Sequence, residues 1–134
     1  MNEFLRLRLE FGIIAHEGRH AIDMLNHPIL FNFWTDEKEF RAKLSQVVFS
    51  SDPKLAILDI FTSRDIGSNT PHGKANKRII KIIVEWMQKH TQEISGIDTT
   101  RPLLPQFDRL SFNQIKAILI AADPMSAETA MKGK

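Results

Sequence analysis

Strong helix punctuation divides this chain, and it limits the possible folds more than any other feature of the sequence. Pro28 forbids a helix from running through it, and Ser51-Asp52-Pro53 sets a capping carboxylate before a proline suited to a helix's first turn. Ser111 and Gln114 have capping-box spacing, with Leu110 and Ile115 placed to staple across it. Asp123-Pro124 closes that last helix. Between these marks apolar residues recur at helical spacing. Phe40, Leu44, Val47 and Val48 form one stripe of a helix starting near Thr35 or Asp36, with Arg41 and Lys43 toward its outer face. Leu55, Ala56, Leu58, Ile60 and Phe61 make the next segment apolar nearly all round, as befits a central helix. Ile79, Ile82, Ile83, Trp86 and Met87 form the buried side of a fourth helix over residues 75–94, and Ile115, Ile118, Leu119 and Ala122 that of a fifth. Glycines and prolines mark loops at 65–74 and 95–110. The apolar connector 28–34 is expected to pack over the core.

The first segment is open to two readings. Leu5, Leu7, Leu9 and Phe11 alternate with Arg6, Arg8 and Glu10, which suits a strand. Leu, Arg and Glu are nevertheless good helix formers, and no β-branched residue is present there, so a helix from about Asn2 to Asn26 is preferred. The expected fold is mostly α, a compact bundle of about five helices with room for one short N-terminal strand at most. Residues 1–124 form a single domain, and residues 125–134 read as a flexible C-terminal tail.

Composition narrows the chemistry. A formal net charge of +2 is too small to argue for nucleic acid or an anionic membrane as partner. No apolar run approaches the roughly 18 residues of a membrane span, and the arginines and glutamate among the first residues do not suit a secretory leader, so the cytoplasm is the expected compartment. There is no cysteine, so any metal must be held by His and carboxylate ligands.

One motif carries chemistry. His16-Glu17-Gly18-Arg19-His20 is His-Glu-x-x-His. On a helix, residues four apart stand one above the other, so His16 and His20 would offer two imidazoles to one point, as a tetrahedral zinc ion requires. Glu17 would lie beside them as general base toward a water. A third ligand is needed. Glu39 follows His20 with eighteen residues between, near the start of the next helix; Glu37 is the competing carboxylate at a less usual gap. A third histidine at His27 would resemble the metzincin pattern, which has a glycine three residues after the second His and the ligand three further on; Asp23 and Asn26 occupy those places, so His27 is set aside. Asp23 could accept a hydrogen bond from a ligand histidine. Arg19 could pair with Asp23 across a turn at the surface, or face a substrate carboxylate.

Residues 13–48 thus resemble the gluzincin branch of the zinc metallopeptidases. The resemblance implies that His16, His20 and Glu39 bind Zn2+, that Glu17 is the catalytic base, and that a peptide or protein is the substrate. Gluzincins often use Tyr or His to stabilise the oxyanion; this chain has no Tyr, and His72, in a loop beside Gly73, is the candidate. Two departures stand against the resemblance. Arg19 puts a charge inside the motif, and the small sheet that precedes the metal helix in gluzincins has almost no room here. Either the sheet is absent or the chain is part of a longer protein. The alternatives are a zincin-like domain without catalysis, or a helical interaction module in which the motif binds nothing.

Overall fold

Local caps fix where most helices begin. The Asp52 carboxylate accepts from the Leu55 amide at 3.1 Å just ahead of Pro53. Ser111 and Gln114 close their capping box, each side chain bonded to the other's backbone amide. Thr70 accepts from the Gly73 amide at 3.1 Å. The computed structural model describes residues 3–64 and 67–133, and among these six α-helices form: α1 (Glu3–Asn26), α2 (Thr35–Val48), α3 (Pro53–Thr62), α4 (Pro71–Lys89), α5 (Phe112–Ala122) and α6 (Pro124–Lys132). The described residues contain no strand, so residues 4–11 take the helical option; the expected start at Asn2, like Asp65 of the expected loop, lies outside them.

The core lies between α2 and α4. Phe40, Leu44 and Val47 of α2 meet Ile79, Ile83 and Met87 of α4, with Ile57 and Ile60 of α3 and Ile115, Ile118 and Leu119 of α5 closing the sides. Several boundaries differ from the sequence reading. α4 starts at Pro71, because Thr70 caps it, so His72 stands in a helical first turn and not in a loop. It ends at Lys89, and residues 91–93 make a separate 3-10 turn. The connector does not cover the core: Ile29 and Phe33 are largely exposed, while Phe31 and Trp34 are only partly buried. Asp123-Pro124 ends α5 and also starts α6, since the Asp123 side chain accepts from the Met125 amide at 2.9 Å. Residues 125–132, expected to be part of a flexible tail, are helical.

α1 joins the bundle in an unusual way. Among its described residues the only buried ones are Arg19 and Asp23. The seam between α1 and α2 is therefore charged. Asp23, fully buried, accepts from Arg19 Nε at 3.0 Å and from Arg41 Nη1 at 3.3 Å. Arg19 also holds Asp123 in a bidentate pair at 2.7 and 2.9 Å, and donates to Ser45. Arg41, expected on the outer face, is buried: it reaches Glu37 and Glu128 and lies over the Trp34 ring. Arg19 is thus neither a surface residue nor free to meet a substrate. Burial opposes the charge on both guanidiniums, but the carboxylates around them more than offset it and move their pKa values up.

Glu128 is what fastens α6. Its carboxylate takes Arg41 Nη2 at 2.6 Å and contacts His27 Nε2 at 3.0 Å. The Arg41 hydrogen bond, helped by His27, holds the Glu128 carboxyl below its ordinary range against the opposing effect of burial. A depressed carboxylate contributes stability that is present above its unfolded pKa and is lost as pH falls through the folded one. Acidification below the ordinary glutamate range should therefore release α6 before the core opens. Amide hydrogen exchange along α6 should rise there while α4 stays protected, and Glu128→Gln should show the same pattern at neutral pH. Equal protection of α6 in wild type and variant at pH 7 would disprove it.

Candidate metal centre

The charged seam between α1 and α2 sets the geometry of the site. His16 and His20 lie on the α1 face that meets α2, one turn from Arg19 and Asp23, and Glu39 comes from the first turns of α2. His16 Nε2 and His20 Nε2 are 3.2 Å apart. Glu39 Oε2 is 3.3 Å from His16 Nε2, and Oε1 is 3.4 Å from His20 Nε2. An ion held tetrahedrally at about 2.0–2.1 Å from each ligand separates its ligand atoms by about 3.3–3.4 Å. The two nitrogens stand at nearly that distance, each is about as far from one of the two Glu39 oxygens, and with one ligand atom from each residue all three lie within 4.8 Å of one another, a group that could hold a metal ion.

One buried polar atom supports the fit. Glu39 Oε2 has two imidazole nitrogens within 3.3 Å, from His16 and His72, yet no protein donor meets it at hydrogen-bonding angles. His20 Nδ1 is also buried without a protein partner, but it is not the nitrogen that meets His16 and Glu39, so it does not bear on the ion. A buried oxygen surrounded by nitrogens that do not point at it is costly unless something sits between them. The donor set, two imidazoles and a carboxylate, suits zinc. Burial pushes His16 below the ordinary imidazole value; Glu39 opposes this, His20 adds to it, and Gln46 and Glu17 oppose it more weakly. The net direction favours neutral imidazole, the form that binds a metal.

The other sequence candidates fall into place around this triangle. Glu37 is committed elsewhere, one oxygen to Arg41 Nε at 3.2 Å and the other to Arg78 Nη1 at 2.7 Å, so Glu39 is the carboxylate at the centre. His27 is held by Glu128 and packs against Trp34. Asp23 serves the two arginines and does not support a ligand histidine. Glu17 is exposed beside His16. His72, half exposed at the start of α4, brings Nδ1 to 3.1 Å from Glu39 Oε2 and stacks its ring 6.5 Å from that of His16. Gln46, whose side chain opposes the lowering of the His16 pKa, was not anticipated. It stands seven residues after Glu39, two turns along the same face of α2, and that spacing was the available signal. Phe31 packs edge-on to His20 from the connector, with Lys38 over its other side. No helix among the described residues is long and apolar enough to cross a membrane. No protein-family profile matches the sequence, and no curated protein and no solved structure matches it.

Proposed function

We propose that the protein is a zinc-dependent peptidase, with the ion held by His16, His20 and Glu39. The observation that supports this most is the convergence of three ligand side chains from two helices, their ligand atoms within 4.8 Å of one another, at a buried Glu39 oxygen that makes no hydrogen bond. Bound zinc would supply Lewis acidity, bringing the pKa of a water toward about 7. Glu17, exposed next to His16, takes the proton of the water whose oxygen attacks the peptide carbonyl carbon. It returns that proton to the amide nitrogen as the C–N bond breaks. His72 stands beside Glu39 with half its surface open, and in this reading it donates to the carbonyl oxygen as charge develops there.

A second reading keeps the metal without hydrolysis. It is favoured by one feature: the described residues contain no strand whose edge could pair with a peptide backbone. Metal content separates both readings from a motif that binds nothing. Protein purified without added metal should carry about one zinc per chain by elemental analysis. His16→Ala and His20→Ala should empty the site, and Glu39→Ala should weaken binding. Retention of zinc by the histidine variants, or no uptake by wild type at saturating zinc, would sink the metal reading.

A further inference from the structure

α1 is inside out. Its buried side is charged, while Phe11, Ile14, Ile22 and Leu25 on the adjoining face are between 47% and 78% exposed. These residues stand four and seven positions to either side of Gly18, so the order Phe11, Ile14, Gly18, Ile22, Leu25 is symmetric about the glycine. All five lie on one helix face. A glycine within a helix costs about 0.5–1 kcal/mol relative to alanine. Nothing in the folded chain explains it here, because a Cβ at Gly18 would meet no atom within 4 Å. The space above it belongs to a groove of about 700 Å³ between α1 and a wall formed by Val48, Phe49, Ile120 and Met125.

We propose that a second copy of this chain fills the groove, its α1 crossing antiparallel over α1 with the two-fold axis at Gly18. A two-fold interface must be self-complementary, with residue i meeting j and j meeting i. The stripe meets that demand: Ile14 faces the partner's Ile22, Phe11 faces the partner's Leu25, and the two glycines let the backbones approach at the crossing. The area is sufficient. The exposed parts of Phe11, Ile14, Ile22, Leu25, Phe49 and Ile120 come to roughly 700 Å², near the ~800 Å² per partner of a standard interface. The polar groups in the groove do not oppose burial, because Arg19 and Asp123 are paired with each other and Ser45 with Arg19.

The test is the mass in solution and the position of crosslinks. Wild type should sediment at twice 15.4 kDa at micromolar concentration. Gly18→Gln should shift it to the monomer while keeping its helical circular dichroism, since the monomer has room for the side chain and glutamine is the better helix former. The chain has no cysteine, so introduced ones report alone. Under mild oxidation Gly18→Cys should link to itself. Phe11→Cys should not, because two copies of residue 11 would be about 21 Å apart along antiparallel helices. A mixture of Ile14→Cys and Ile22→Cys should give the mixed dimer. A monomeric wild type at 100 μM overturns the proposal, even if another protein proves to cover the face. So does a dimer that survives Gly18→Gln, or one that crosslinks through residue 11 with itself.

Discussion

Asp23→Ala should destabilise the protein by about 3–5 kcal/mol, the range for removing one partner from a buried charge group. That is a large share of the roughly 5–15 kcal/mol available to a domain. Asp23 has no exposed surface and accepts from both Arg19 and Arg41. Without it, two guanidiniums face each other's charge across the α1–α2 seam. Asp123 and Glu128 still hold their outer sides, which keeps the loss from being larger. The measurement is a urea titration, where the midpoint should fall with little change in slope. Asp23→Asn keeps the shape and an acceptor and should cost less than alanine. A shift below about 1 kcal/mol for Asp23→Ala would mean that the seam is not what joins the helices.

Glu17→Gln should keep its zinc and its fold while peptide hydrolysis drops by about 10²-fold or more. Ligand and base make opposite demands on a carboxylate. Glu39 is packed among His16, His20 and His72, whereas Glu17 is exposed one residue from His16. The amide of glutamine cannot accept the proton, yet it should disturb neither the triangle nor the seam. The check is digestion of a peptide library by both proteins at matched zinc occupancy. Equal cleavage would remove Glu17 from the mechanism. No cleavage by either protein would favour a metal-holding domain without catalysis.

The helical architecture could be read in the sequence because it is written locally: Asp52-Pro53 and the Ser111–Gln114 box work within one turn of chain. So could the convergence of His16, His20 and Glu39, since helical spacing fixes the first two and the third falls at the start of the next helix. What could not be read depends on partners far away in sequence. Arg41 looks like a surface residue from its place on α2, and its burial depends on Asp23, 18 positions before it, and on Glu128, 87 positions on, beside the local Glu37. α6 has a weak pattern of its own and owes its order to the same pair. The reversed polarity of α1 was hidden for a similar reason. Arg19 and Asp23 read as an ordinary i, i+4 surface pair until Ser45 and Asp123 close over them.

Chains emerge from the ribosome in order, and the charged seam follows that order. When α1 and α2 have been made, Asp23 and Glu37 already match Arg19 and Arg41 in charge, but each guanidinium still lacks one of its carboxylate partners at a contact that must become dry. The missing partners, Asp123 and Glu128, are synthesised about 80–90 residues later, roughly 4–18 seconds at ordinary elongation rates. Until then the ligand helices have little reason to close, while α2, α3 and α4 can already bury their shared apolar faces. The nascent protein should assemble its middle first and its metal site last.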